Sequence, residues 1–167
     1  NLFFFLNKTK KEFISMNDNI CIQLINLVPY NNARIVGLID FGFKCKCLLN
    51  YKNDIFKPLS IINDNLDSKV ISYGNRIYNT YEIIKFILTN DFKVVFVTGY
   101  LELSALSTIV GSYLKGNKIV LFSESQEIDK RERRFYIELY KKLILQVFDG
   151  AVVGGESHKK YLIKLGM

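Results

Sequence analysis

Apolar residues gather along the chain in short, nearly continuous runs that alternate with segments where they recur every third or fourth position. The run ICIQLINLV over 20–28 has strand length and little polar alternation, which marks a strand buried on both faces, and Pro29 stops it. Asn31 and Asn32 then offer an N-cap to a helix over 33–39, and Gly42 suits its C-terminal cap. Strand character restarts over 44–50 (KCKCLLN). Residues 51–69 are polar, rich in Asn and Asp and without period, and read as the longest loop.

Beyond that loop the alternation is regular. A short strand over 70–73 leads to a helix over 78–89, a strand over 93–98 to a helix over 102–114, and a strand over 118–122 to a long helix over 130–148. A strand at 151–153 and a helix from 156 close the pattern. Strands that alternate with helices of this length pair in parallel through right-handed crossovers, with helices on both faces of the sheet. The expected fold is therefore α/β: a Rossmann-like, doubly wound parallel sheet of six or seven strands.

A length of 167 residues suits one domain, and 49% hydrophobic with 23% charged residues excludes a disordered chain. Lys and Arg number 23 against 16 Asp and Glu, a net +7 that fits a nucleic acid, an anionic membrane or a phosphorylated substrate without choosing among them. Eighteen of those cations are Lys in a chain heavy in Asn, Ile, Tyr and Phe, which the bias of an AT-rich genome also produces, so net charge carries little weight. Three cysteines, Cys21, Cys45 and Cys47, are an odd number in a domain large enough to dispense with disulfides, and point to a reducing, cytoplasmic compartment. With His158 as the single histidine, no four-ligand zinc set can be assembled; core thiols and no metal are expected. No apolar run reaches the roughly 20 residues of a membrane helix, and the opening LFFFL is too short for a signal-peptide core. Because Met16 directly precedes the first strand pattern, residues 1–15 read as an upstream extension and are left out of the expected fold, whose domain is 16–167.

Ligands of open parallel sheets bind beyond the carboxyl ends of the strands. Four loops are candidates there: 29–34, Gly99-Tyr100, Ser123-Glu124-Ser125 and 154–158. The first reads PYNNAR and lacks a dinucleotide or phosphate-loop glycine motif, which argues against a nicotinamide or ATP enzyme and leaves cofactors unexpected. Arg34 can pair with a phosphate or stand solvated, and Tyr30 can bind or pack. Glu124 leaves the core between two serines, where a charge-stabilising group beside a substrate would sit. In Gly154-Gly155-Glu156-Ser157-His158 the glycines precede a helix start whose amides can receive an anion, and His158 can titrate near neutrality or stand as a surface histidine. Over 130–142, KRERRFYIELYKK holds six cations and two anions, with apolar positions at Phe135, Leu139, Leu143 and Val147; its basic end is either a solvated face or one that rests on anionic lipid.

Taken together, these motifs resemble a known family. The run SESQEIDKRERRFYIELYKKLILQVFDGAVVGGESHKKYLIKLGM is similar to the end of the N-terminal domain in a subgroup of family 4 glycosyltransferases of the GT-B type, with the elements S-E-S, K-x-x-L, F-D-x-A-x-V-G-G and H-x-x-Y-L-x-x-L-G. Upstream, VPYNNARIVGLIDFGFKCKCLL resembles the family's first strand, P-Y-x-x-A-R loop, helix and second strand. The resemblance covers about residues 20–167 and implies the acceptor-side half of a two-domain enzyme, the donor domain lying outside this sequence. It implies transfer of a sugar from a nucleotide-sugar donor to a glycan or lipid-linked acceptor, in cell-envelope polysaccharide or glycoconjugate synthesis, with no nucleic-acid partner and no metal. Many members carry His where Ser123 stands, so the resemblance makes Ser123 and Glu124 the catalytic candidates, with Tyr30, Arg34, Gly99, Tyr100, Ser125, Gly154, Gly155, Glu156, Ser157 and His158 for substrate. The alternative is a stand-alone Rossmann-like ligand-binding or scaffold module that performs no reaction.

Arg131, Arg133 and Arg134 are three of only five arginines, which a lysine bias does not explain, and they make an anionic inner membrane surface the expected peripheral partner. Liposome flotation is expected to show binding to anionic but not neutral vesicles, lost when these three arginines become Gln. Equal binding to both lipids would leave a solvated face.

Overall fold

The computed structural model describes residues 4–7, 19–24, 29–40, 42–51, 67–72, 76–123 and 135–167. In chain order the elements are β1 (Phe4–Asn7), β2 (Asn19–Leu24), α1 (Pro29–Asp40), β3 (Lys44–Tyr51), β4 (Asp67–Ser72), α2 (Arg76–Thr89), β5 (Val94–Thr98), α3 (Leu103–Lys115), β6 (Lys118–Ser123), α4 (Phe135–Leu145), β7 (Gly150–Val153) and α5 (Glu156–Lys164). The strands form one sheet in the order β1-β7-β6-β5-β2-β3-β4. Every pairing from β4 to β7 is parallel, and β1 adds to β7 antiparallel. Numbered among themselves, the six parallel strands run 3-2-1-4-5-6, the doubly wound order whose reversal falls between β2 and β5.

The expected α/β class and parallel sheet are those observed. Three local readings differ. Residues 4–7, left out of the expected fold, supply an edge strand in which Phe4 pairs with Val153 and Asn7 with Gly150. Helix α1 begins at Pro29 rather than after Asn31 and Asn32, so these asparagines lie inside it and not at its cap. A proline both ends an extended run and suits a first helical position, where its missing N–H has no intrahelical partner, and at Pro29 it does the second. The expected strand over 20–28 is β2, ending at Leu24, and residues 25–28 lie outside the described ones. So does most of the expected 51–69 loop, although β4 begins earlier than read, at Asp67.

Both faces of the sheet are buried, as parallel pairing through helical crossovers requires. On one face Cys21, Leu48, Val95, Val97, Ile119, Leu121, Ala151 and Val153 meet Ile83 and Ile87 of α2, Ala105 and Ile109 of α3, Leu145 of α4, and Tyr161 and Leu162 of α5. On the other, Ile20, Ile22, Leu24, Cys45, Cys47, Leu49, Val94, Phe96 and Val120 meet Ile35 of α1, with Leu38 and Ile39 half-buried beside it. The three cysteines are free, buried thiols. Burial pushes Cys45 up to about 11 and, with help from the Cys45 charge, Cys47 up to about 12; burial first, then the Cys47 and Cys45 thiols, raises Cys21 further. Among the described residues no helix is long and apolar enough to cross a membrane.

Helices α2 and α3 owe their close packing to small residues. Ser104, Ala105, Ser107, Thr108, Gly111 and Ser112 make up most of the buried side of α3. A Cβ placed on Gly111 would lie 3.2 Å from Ile87 Cβ and 3.4 Å from the Cα of Ile84. The polar members of this face are partly satisfied within the helix: Ser107 donates to Leu103 O at 2.7 Å and Thr108 to Ser104 O at 2.9 Å. Gly111→Val is expected to destabilise the protein by about 1–3 kcal/mol, because a branched side chain must push α2 off α3. Gly111→Ala should cost less, its better helix propensity of about 1 kcal/mol offsetting the tight contact. Urea denaturation midpoints test both.

Candidate functional site

The reversal of strand order opens a crevice at the carboxyl ends of β2 and β5, because their crossovers depart in opposite directions. Here the regular ladder gives way to a side-chain network. Gln23 pairs with Val97, and one residue on the Thr98 N–H donates to the Gln23 side-chain Oε1 at 3.1 Å. The Thr98 hydroxyl donates to the Gln23 carbonyl at 3.1 Å and approaches Oε1 at 3.3 Å. The amide is thereby oriented, since its oxygen must face the Thr98 donors. Gln23 is fully buried, and its Nε2 has no hydrogen-bond partner among the described residues. Leaving a buried donor unmatched costs on the order of 1–3 kcal/mol, so an idle amide at this place is not a neutral choice.

From Thr98 the chain turns through Gly99 at φ 79, a left-handed conformation that side chains disfavour, into the start of α3. Glu102 occupies the N-cap of α3 without making a side-chain cap hydrogen bond to its first-turn amides. In that first turn Ser104 is buried and its Oγ too lacks a partner. Gln23 and Ser104 were absent from the sequence candidates. Gln23 hides in an apolar run and Ser104 in a helix of unremarkable pattern; the available signal was an amide side chain in the middle of a largely apolar strand.

Tyr100 is buried, and its carbonyl accepts a hydrogen bond from the Tyr140 hydroxyl of α4 at 3.0 Å, which ties that helix to the β5–α3 turn. Burial pushes the Tyr100 phenol up to about 12, an effect the Lys141 charge opposes. Lys141 Nζ donates to Tyr161 Oη at 3.0 Å, lies 3.4 Å from Glu138 and stands 5.6 Å from the Tyr161 ring centre. Burial works to lower its pKa, but the Tyr161 hydrogen bond and the neighbouring Tyr161, Tyr100 and Glu138 hold it above its ordinary value. These contacts rotate α4 away from the expected apolar stripe: Leu139 and Leu143 are exposed, while Leu145 and Phe148 enter the core. Lys141 and Leu145 lie on the inward side of α4, with Phe148 entering the core just past its end, and an inward side that begins with lysine escapes an apolar-period search.

Ser123 ends β6 in register with Val153, and it is buried. Gly154 and Gly155 follow β7, and Gly155, at φ 171, caps α5 with extended backbone and no side-chain bond. His158 folds back over this turn: its Cε1 lies 3.6 Å from a Cβ position on Gly154 and its Nδ1 3.6 Å from one on Gly155. Glu156 and Ser157 are exposed, Glu156 lying 3.9 Å from Lys159. Thus Gly99, Tyr100, Ser123, Gly154, Gly155, Glu156, Ser157 and His158 all lie at the carboxyl side of β5, β6 and β7. Tyr30 and Arg34 belong to α1, but their side chains lie outside the described residues, as do Glu124, Ser125, Arg131, Arg133 and Arg134.

The architecture is that of a Rossmann-like α/β domain with its open edge at this crevice. No protein-family model matches the sequence, and no curated protein matches it. Among solved structures the chain is similar to one from Listeria monocytogenes assigned as a UDP-N-acetylglucosamine 2-epimerase, with a TM-score of 0.65 and 9% identity over 90% of this chain and 43% of that one. It is also similar to S. aureus MnaA in its structure with UDP, with a TM-score of 0.58 and 12% identity over 89% of this chain and 41% of that one. At such identities the likeness is one of fold, and the chain spans less than half of either neighbour.

The buried thiols of β3 and the buried phenol of Tyr100 make stability depend on alkaline pH. A group whose pKa is higher folded than unfolded contributes stability that is complete below its unfolded value and is lost as pH rises through the folded one. Cys45, Cys47 and Tyr100 all shift upward, to about 11, about 12 and about 12. Denaturation midpoints should therefore hold steady to the ordinary thiol value of 9.0 and fall above it. Tyr100→Phe should flatten the part of that fall that begins at the ordinary phenol value of 10.0.

Proposed function

We propose that the chain forms one half of a nucleotide-sugar enzyme of GT-B type, contributing one wall of a cleft between two α/β halves. The observation that carries this reading is the donor-rich carboxyl edge: two helix N-termini without side-chain caps, on α3 and α5, and the idle donors Gln23 Nε2 and Ser104 Oγ. Helix N-termini stabilise phosphate charge through their amides and dipole, and a sugar hydroxyl or phosphate oxygen would supply the missing acceptor. Support comes from the fold neighbours, one assigned as a UDP-N-acetylglucosamine 2-epimerase and one solved with UDP.

The reaction we propose is glycosyl transfer from a nucleotide-sugar donor to a glycan or lipid-linked acceptor. This step is supported by the motif string over 123–167, and in it Ser123 and Glu124 would stand beside the reacting sugar. The departing diphosphate would be stabilised by helix N-termini, which requires no metal. A second reading, epimerisation of a nucleotide sugar, is favoured by the assignment of the Listeria neighbour. The two differ in product: one joins sugar to acceptor and frees the nucleotide, whereas the other returns a nucleotide sugar with one inverted carbon.

The chain by itself should transfer no sugar and should bind UDP and UDP-sugars weakly, with Kd on the order of 1 mM, because half of the cleft wall is missing. Amide shifts during NMR titration are expected at Gly99–Ala105 and Gly154–His158, weakened by Ser104→Ala. Shifts confined to other residues would sink the site. Micromolar affinity or any turnover would show a complete functional unit and sink the half-enzyme reading.

A further inference from the structure

Helices α2 and α3 do more than cover the sheet, because their outer faces carry a second apolar row. On α2, Ile77, Tyr81, Ile84 and Leu88 recur at i, i+4, i+7 and i+11; on α3, Leu103, Val110 and Leu114 recur at i, i+7 and i+11. Such spacing lays each set along one side of its helix. The two rows border a common seam, since the Cα of Ile84 is the close neighbour of Gly111, and Leu114 stands one turn beyond that glycine. Ile84 is half-buried where the helices meet, and the other members face solvent: Ile77 is 81% exposed, Tyr81 59%, Val110 48% and Leu114 67%, with Tyr113 at 70% on the flank.

We propose that this seam is the contact surface for a second copy of the chain, two α2–α3 pairs meeting about a two-fold axis as a four-helix layer. The inference does not need the proposed enzymatic reading: apart from Leu103, in the first turn of α3, the seam lies along the outer faces of the helices, whereas the crevice lies at the ends of the strands. Three features of the surface select a second copy as occupant. First, an isologous contact uses one patch twice, and with one apolar row on each helix the α2 row of one copy can lie on the α3 row of the other. Second, its charge is close to balanced within a chain of net +7. The two helices and Glu102 together hold the cations Arg76, Lys85 and Lys115 and the anions Glu82 and Glu102. Two copies can therefore meet there without bringing a surplus of like charge together, whereas an anionic lipid surface would find no concentrated cation row.

The third feature is size. The exposed parts of Ile77, Tyr81, Leu88, Leu103, Val110, Tyr113 and Leu114 amount to on the order of 800 Å², about what each partner contributes to a stable protein interface.

Sedimentation velocity on the 167-residue chain between about 1 and 100 µM tests this, a range in which an interface of this size associates. A dimer is expected, with Val110→Glu and Tyr81→Glu each raising its Kd at least about 100-fold, since each buries a charge in the contact. Circular dichroism should report the helix content of both variants unchanged, and Ile163→Glu, on the exposed side of α5, should leave the dimer intact. A wild-type chain that stays monomeric throughout the range overturns the proposal, as does a dimer indifferent to both substitutions. Flotation of a monomeric chain with anionic vesicles, abolished by Val110→Glu, would overturn it in favour of lipid.

Discussion

The parallel pairing of β2 with β5 is the contact on which the rest of the molecule depends. Ile20, Cys21, Ile22 and Gln23 align with Val94, Val95, Phe96 and Val97, and these strands lie at the centre of the sheet with both faces covered. Parallel neighbours cannot be joined by a tight hairpin, so each junction calls for a crossover that returns the chain to the opposite edge. That requirement produces the helices. It also gathers the turns that follow β5, β6 and β7 on one side of the molecule, where the candidate site lies.

Where that central pairing ends, packing and polarity come into conflict. Val95 and Val97 are wholly buried and aliphatic, while Thr98 and Gln23 replace a backbone ladder bond by a side-chain one and leave an amide donor without an acceptor. An apolar residue at Gln23 would suit the core equally well by volume and avoid the desolvation cost. Polar groups retained against that cost, beside the start of α3 where the N-cap residue makes no side-chain bond, are the arrangement expected of a ligand edge rather than of a core. The Tyr140 bond to Tyr100 and the Lys141 bond to Tyr161 brace the same edge from α4 and α5.

The α2–α3 pair shows how one packing decision creates two surfaces. Small residues on the inner side of α3 let the helices approach until Gly111 has no room for a larger side chain. The large residues of α3 are thereby concentrated on its outer side, at Leu103, Val110, Tyr113 and Leu114. Close internal contact and an exposed apolar row follow from the same distribution of volume around one helix, which links the monomer's packing to its proposed assembly.

The hydrophobic pattern alone determined the number, type and order of the parallel strands and of their connecting helices, because period and length are local properties of the chain. Motif spacing likewise located the carboxyl-edge turns at Gly99, Ser123 and Gly154. Tertiary structure decided what local pattern cannot encode. It set the addition of residues 4–7 to β7, which requires pairing across most of the chain, and the start of α1 at Pro29, a residue compatible with either neighbouring element. It rotated α4 so that Lys141 faces Tyr161 while Leu139 and Leu143 face solvent, since the inward side of a helix is chosen by its neighbours as well as by its own apolar period. And it set the unmatched donors of Gln23 and Ser104 at the edge of the sheet, because whether a polar atom finds a partner depends on residues far away in sequence.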